Sequence, residues 1–423
     1  MTEQALQVNG TTVYTFPNEH LHSFCIGVYV RAGSIFESVK DNGITHLLEH
    51  SVFRNINKKY GGRLYDLLAS NGLSFSGCTY KEFLCFTIEG ISSGFLFACE
   101  VLCSIFDKLS LNPSELTCEK KRIKAEIREK DQRHSAWYLF SQNIWKETNA
   151  DKIVLGYCRV LDRTSGKALE EYRRKIFSSD NCFIYVTGCV TQENITYLTD
   201  KISRLDIPKG TLSRSNIIDP TGAFFHRERI ISIKESAYCS VCMGFDTDTE
   251  KIPGGVLELM YGILFAEENA LFYQNLSENN PLVYSYDSSH EKYDNIGCLT
   301  FNFEITQDLL EESLAQVVNI LCDLKQGNFH FETNLNIELA TWIRLLDDPA
   351  ELNWHLAYDN HILNTAPIQY DSERLGRFSS VTKEAVMEAA KEIFTCRNLT
   401  ILLEGKKSKM NLERLGRILN RLD

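Results

Sequence analysis

The chain has 423 residues, 43% hydrophobic and 24% charged, with a formal net charge of −11 and a pI near 5.5. That balance describes a globular protein of two or more domains, and the acidic charge without any Lys/Arg stripe excludes nucleic acid and anionic membrane as primary partners. Met1-Thr2-Glu3-Gln4 is not a basic leader and no run is long and apolar enough for a membrane span, so a cytoplasmic protein is expected.

Residues 23–31 alternate Phe24, Ile26, Val28 and Val30 with Cys25, Gly27 and Tyr29, the pattern of a sheet strand with one apolar face. A helix over residues 45–55 follows. It carries His46-Leu47-Leu48-Glu49-His50, an H-x-x-E-H run. In a helix, His46 and His50 stand one turn apart on one face, a spacing that lets two imidazoles converge on one metal ion. Glu49 projects to the same side and is placed to act as a base toward water; this order of residues is the inverzincin signature. A catalytic zinc needs a third protein ligand. The plainer reading of the same residues is a structural histidine pair with each ring bonded to a backbone carbonyl.

Residues 83–89 read as a second strand and 95–109 as an apolar helix. Residues 113–131 read as a charged helix with Asn112 as N-cap, Pro113 in the first turn and Glu115 behind it. Glu119 and Glu126 lie seven apart on that helix, hence on one face. The default for such a charge run is a solvated surface. The specific expectation is that Glu126 becomes the third zinc ligand and that Glu119 orients a ligand imidazole from behind.

The chain repeats itself. Residues 175–188 and 392–405 both read as helix end, turn at Asn, buried strand and stop at Gly, 217 positions apart. The same offset pairs Cys25-Ile26-Gly27-Val28 with Cys242-Met243-Gly244-Phe245. We expect an α+β fold of two homologous α/β-roll domains, 1–210 and 211–423, each a mixed, mostly antiparallel sheet with helices packed on it, joined within 208–222. At that offset His46, Glu49 and His50 face Ile263, Ala266 and Glu267, so one chain holds at most one such metal site. The fourteen cysteines are scattered, and buried thiols are the expected use of most of them; Cys239 and Cys242 form a C-x-x-C inside a strand. His20, His22, His134, His290 and His361 have no spacing that recruits them to the site. Tyr284-Ser285-Tyr286 fits a half-exposed strand, and 406–409 a solvated tail.

With these residues in view, the chain resembles the M16 (pitrilysin-like) zinc metallopeptidases, in particular the half-length M16B, processing-peptidase type with its bacterial members. Arg31-Ala32-Gly33-Ser34 and Asn42-Gly43-Ile44-Thr45-His46-Leu47-Leu48-Glu49-His50-Ser51-Val52-Phe53-Arg54 are similar to the family's RxGS and NGxAHxLEHxxFK block. Glu126 stands 76 positions after His50, and Glu119 seven before Glu126, as the family's third ligand and its companion do. The resemblance implies one Zn²⁺ per chain on His46, His50 and Glu126. It implies Glu49 as the base that activates the attacking water and passes the proton to the leaving amine. It also implies a peptide substrate added as a strand along an edge near Phe75, Ser76, Gly77, Cys78 and Thr79.

Two departures stand out. Ser76-Gly77 replaces the family's Asn-Ala on that edge. In the second half Ser277 falls where an Arg is expected, while Tyr284, the catalytic Tyr of the family's Arg/Tyr pair, remains. A chain with its metal residues intact and its own pair broken suggests the catalytic member of a heterodimer, whose half-length partner supplies Arg and Tyr; a homodimer is the other arrangement. The implied activity is a zinc endopeptidase, with a leader-bearing peptide such as a bacteriocin precursor as one substrate type. The competing function is a non-catalytic structural subunit of a larger complex.

Overall fold

The structure, a computed structural model, describes residues 3–129, 135–210, 217–218, 229–363, 378, 381–406, 408 and 410–423. His134, Lys407, Lys409 and most of the expected join at 208–222 lie outside the described residues. Two compact units are present. One comprises Met1–Asp131, Asn149–Asn216 and Trp342–Glu373; the other comprises Gln132–Thr148, Ile217–Thr341 and Arg374–Asp423.

The first unit is built on a six-stranded sheet: β1 (Gln4–Val8), β2 (Thr11–Pro17), β3 (Ser23–Val30), β4 (Leu73–Thr79), β5 (Leu84–Ile91) and β6 (Cys182–Gly188), in the order β1-β2-β6-β3-β5-β4. Only β2 and β6 run parallel. The second unit holds β7 (Arg229–Ile233), β8 (Tyr238–Thr247), β9 (Tyr286–Lys292), β10 (Gly297–Thr306) and β11 (Leu399–Gly405), ordered β7-β11-β8-β10-β9, with β7 and β11 parallel. Without β1 the two orders are the same, so the mixed α/β architecture is duplicated within one chain.

The repeat is legible in single side chains. β6 and β11 begin and end 217 residues apart and are buried throughout. Asn181 donates its amide to Ile176 O (2.8 Å) and Arg31 O (3.0 Å); Asn398 donates to Ile393 O (2.8 Å) and Asp246 O (2.9 Å). These turns cap the buried carbonyls that the preceding helices leave open. The pairing of Cys25 with Cys242 needs correction. β6 opposes Thr187 to Cys25, whereas β11 opposes Leu402 to Cys242 and Glu404 to Ser240. Ser240 is therefore the structural counterpart of Cys25, and β8 is displaced by two residues from the 217 offset. A slip of two keeps every side chain on its face, so the C-x-G similarity survived the misalignment.

Four helices of the first unit matter for the site: α1 (Ile44–Lys59), α2 (Leu64–Ser70), α3 (Phe95–Cys103) and α4 (Pro113–Glu129). Leu47, Leu48, Val52 and Ile56 of α1 recur at helical spacing and are buried in one core with Val28, Phe86 and Ile88 of the sheet and Ala98, Val101 and Leu102 of α3. Each such side chain removed from water contributes roughly 1.5–3 kcal/mol, which fixes α1 rigidly on the sheet. α3 stops at Cys103, short of the expected 109. Ser104 bonds back to Glu100 O (2.8 Å) and accepts from Lys59 Nζ (2.9 Å), and the chain tightens into a 3-10 turn, Ser104–Phe106. α4 carries the expected cap: Asn112 Oδ1 accepts from Glu115 N (2.9 Å) while Glu115 Oε2 accepts from Asn112 N (2.7 Å).

The opposite face of each sheet is covered by a helix from the other half of the sequence. In the first unit the helix Pro349–Ala357 lies on β3 and β6, and Asn353 accepts from Tyr29 OH (2.8 Å) and donates to Tyr185 O (3.0 Å) and Thr187 Oγ1 (3.1 Å). In the second unit the helix Ala136–Ile144 lies on β8 and β11, with Ala136 and Phe140 packed against Cys242 and Leu402.

The start of α1 is held by a carboxylate the sequence did not advertise. Glu37, 7% exposed, accepts at Oε2 from Gly43 N (2.8 Å) and Asn42 Nδ2 (2.9 Å), and at Oε1 from Thr45 N (2.9 Å) and Thr45 Oγ1 (2.7 Å). An anion at a helix N-terminus satisfies open N–H groups and the helix dipole together. Gly43, the N-cap, has φ 101, and a Cβ there would lie 2.8 Å from Gly156 Cα; only glycine fits. Glu37→Ala is expected to lower stability by about 3 kcal/mol, because buried donors lose a charged acceptor; urea denaturation followed by far-UV circular dichroism measures it.

Candidate metal centre

α1 and α4 lie side by side, and their facing residues pair in reverse order along the two helices. His46 Nε2 is 3.5 Å from Glu126 Oε2, His50 Nε2 is 3.8 Å from the same oxygen, and His50 Nδ1 is 3.6 Å from Glu119 Oε2. Next in line, Arg54 meets Glu119 (2.5 Å) and Lys58 meets Glu115 (2.9 Å). The spacing of four along α1 places 46, 50, 54 and 58 on one face, one turn apart.

One donor atom each from His46, His50 and Glu126 lies within 4.8 Å of the others, and this is the only group of its kind among the described residues. Two ligands 2.0–2.1 Å from one tetrahedral zinc stand about 3.3 Å apart. The separations of 3.5 and 3.8 Å to Glu126 match that requirement. The donor set, two imidazoles and one carboxylate, is that of catalytic zinc sites. His46 is buried, whereas the side chains of His50 and Glu126 are 23% and 26% exposed, so the cluster is reached from one side.

Glu119 is 1% exposed and faces the second ring nitrogen of His50. Burial raises its pKa, but the hydrogen bond with His50 and the guanidinium groups of Arg54 and Arg122 outweigh it and hold the carboxyl below its usual range. It is thus an anion behind His50, an arrangement that fixes the tautomer of a ligand ring. Glu49 lines the same cleft as His50 and Glu119, and its Oε2 accepts from Thr79 Oγ1 at 2.6 Å.

Glu49, His50, Phe53, Tyr65, Phe75 and Arg122 border a cleft of about 310 Å³. β4 stands at the sheet edge beside it, bonded to β5 alone. Of the five residues expected on the substrate edge, Phe75, Gly77 and Thr79 are half-buried and Ser76 and Cys78 exposed, as the pleat requires. Phe75 packs on Phe53, ring centroids 4.5 Å apart. A Cβ at position 77 would lie 2.6 Å from Phe53 Cε2. Glycine at 77 therefore goes with the seat of Phe53, which explains the Gly77 half of the Ser76-Gly77 departure.

Tyr284 belongs to the other unit and is 98% exposed. It sits in a bend, and β9 begins only at Tyr286, so the expected strand through 284 is corrected; the two residues before the strand lack a ladder partner. Ser277 lies in a single π-helical turn, Gln274–Glu278. His361 pairs with Glu3 (2.8 Å) and His290 with Thr247 (2.9 Å), and burial depresses the His290 pKa to about 3. Neither joins the metal cluster. All fourteen cysteines are unbridged, half of them buried.

Sequence reasoning missed Glu37, the hydroxyl of Thr79 on Glu49, and Arg54. Arg54 had a signal, since it continues the period of four from His46 and His50. Its partner Glu119 could be found only once α4 was docked.

Two family models match the chain: Insulinase (Peptidase family M16) over residues 13–156, and Peptidase M16 inactive domain over residues 164–333. The uncharacterized zinc protease YmxG of Bacillus subtilis is 24% identical over 323 residues, which is 75% of this chain and 77% of that protein. The beta subunit of the mitochondrial-processing peptidase of Saccharomyces cerevisiae is 23% identical over 46% of this chain and 42% of that one. Among solved structures, a protease from Helicobacter pylori superposes with a TM-score of 0.81 at 17% identity, covering 95% of this chain and 99% of that one. A chain of complex III2 from Candida albicans gives 0.74 at 14% identity, covering 99% of each. With both of its halves matched, this chain is a half-length member of peptidase family M16.

Proposed function

We propose that the chain is a zinc-dependent endopeptidase. The observation that carries the reading is the convergence of His46, His50 and Glu126 from two helices beside Glu49 and an open sheet edge. In it, His46, His50 and Glu126 hold one zinc ion, and Glu119 orients His50. A zinc ion so held supplies Lewis acidity toward a peptide carbonyl and toward water. Glu49 takes a proton from the attacking water and returns it to the leaving amine. Phe75, Ser76, Gly77, Cys78 and Thr79 offer main-chain hydrogen bonds to an extended peptide.

The same reading assigns homologous domains to 1–210 and 211–423, a cytoplasmic location, and a heterodimer. With Ser277 in place of the expected guanidinium, a second half-length M16-type subunit supplies the Arg/Tyr pair, and Tyr284 is the chain's own remnant of that pair. Leader-bearing peptides, a bacteriocin precursor among them, are extended substrates of the required kind. The test is zinc content and cleavage of an unstructured peptide by the purified chain, alone and mixed with such a partner. A chain that binds no zinc and cuts nothing in either state sinks the proposal. It would favour the structural-subunit reading, which draws on the likeness to cytochrome b-c1 complex subunit 1 of Mus musculus, 24% identical over 47% of this chain and 42% of that one.

Thr79 gives a narrower expectation. Thr79→Val removes the hydroxyl that holds Glu49 and is expected to lower kcat about tenfold with little change in KM, since one hydrogen bond to a charged group is worth about 1.5–3 kcal/mol. Thr79→Ser keeps the donor and should retain most of the rate.

A further inference from the structure

α4 presents two carboxylates, Glu119 and Glu126, to His50, and Glu126 also reaches His46. Glu126 Oε2 lies 3.8 Å from His50 Nε2 and Glu119 Oε2 lies 3.6 Å from His50 Nδ1. Residue type alone does not say which of the two carboxylates serves as ligand. The difference lies in their other partners. Arg54 brings Nε and a terminal nitrogen within 2.5 Å of Glu119 Oε1, and Arg122 reaches both oxygens of Glu119 at 3.4 Å. The terminal nitrogen of Arg54 also lies 3.5 Å from Cys118 Sγ.

We propose that Arg54 is the positioning residue that sorts these carboxylates: by engaging Glu119 it keeps that group behind His50 and leaves Glu126 to the metal. The inference rests on reading the cluster as a zinc site. Three points of physics support it. Two nitrogens of the Arg54 guanidinium converge on one oxygen of Glu119, so Arg54 holds that oxygen in place as well as balancing its charge. Glu119 is 1% exposed, and a buried carboxylate that loses the nearer of its two cations, keeping only Arg122 at 3.4 Å, is drawn toward any other cation within reach, here the metal itself. Arg54 also sits one turn beyond His50 on α1, so the residue that restrains Glu119 and the ring that Glu119 orients move as one rigid element.

Lys58 and Glu115 supply the control. Their pair, at 2.9 Å, is the next rung of the same helix contact, and its carboxylate is 22% exposed where Glu119 is 1%. If Arg54 only glued α1 to α4, Lys58→Met would resemble Arg54→Met.

The experiment measures zinc affinity of the full chain by competition with a chromogenic chelator, with folding followed by circular dichroism. Arg54→Met is expected to weaken zinc binding about 10- to 100-fold, the usual effect of losing a partner behind a ligand. Arg54→Lys should fall between it and the parent, and covers the case in which Arg54→Met fails to fold. Lys58→Met should bind as the parent does. In a Glu119→Gln background, Arg54→Met should have little further effect, because no buried anion remains to be restrained. Unchanged zinc affinity in Arg54→Met or Arg54→Lys overturns the proposal, as does a full effect in the Glu119→Gln background. Loss of zinc binding by the parent chain itself would instead overturn the peptidase reading.

Discussion

Glu126→Ala is expected to abolish stoichiometric zinc binding and, with it, peptide cleavage, whereas Glu119→Ala weakens zinc binding without abolishing it. Structural zinc sites bind with roughly 10–16 kcal/mol spread over four ligands, so one ligand accounts for about 3 kcal/mol, more than a hundredfold in affinity. Glu119 faces the ring nitrogen of His50 opposite the one near Glu126, and losses at such outer positions run about 10- to 100-fold. His46→Ala and His50→Ala should behave as Glu126→Ala does. Metal analysis after dialysis against a chelator measures this directly. Equal zinc retention in the Glu126 and parent proteins would remove Glu126 from the ligand set.

The second expected result separates binding from chemistry. Glu49→Gln should keep zinc at one per chain and slow hydrolysis by about 10²–10⁴-fold, the range general acid–base groups contribute. The substitution is close to isosteric, and an amide can still accept from Thr79 Oγ1, 2.6 Å from Glu49 Oε2, so the local fold is retained. What is lost is the ability to take a proton. A Glu49→Gln protein that cuts peptides at the parent rate would mean the base lies elsewhere. One that neither holds zinc nor melts cooperatively would mean Glu49 is a structural residue.

Much of the site was legible because it depends on short-range order. The period of four that carries His46, His50 and Arg54 belongs to one helix, and the cap at Asn112, Pro113 and Glu115 is written within four residues. The strands β6 and β11 could be matched across 217 residues because buried strands end at recognisable turns. What failed were details set by competition between distant groups. α3 ends at Cys103 because Ser104 finds two partners there, Glu100 O and Lys59 Nζ, the second far away in sequence. The offset between β3 and β8 slipped by two because a sheet is indifferent to a shift that preserves its faces.

The sequence by itself determined the chemistry on offer: two imidazoles and a base on one helix, two carboxylates on another, and a chain doubled on one strand plan. Only the tertiary structure decided how these act. It set the helices antiparallel so that Glu126 meets both imidazoles while Arg54 takes Glu119. It brought Glu37 under the first turn of α1, and it moved the helices 136–144 and 349–357 each onto the sheet of the other half. The reason is common to all three. Helical periodicity fixes which side chains share a face, but burial and the pairing of charges decide which face meets which, and those partners lie anywhere from six residues away, as Glu37 from Gly43, to more than three hundred, as Tyr29 from Asn353.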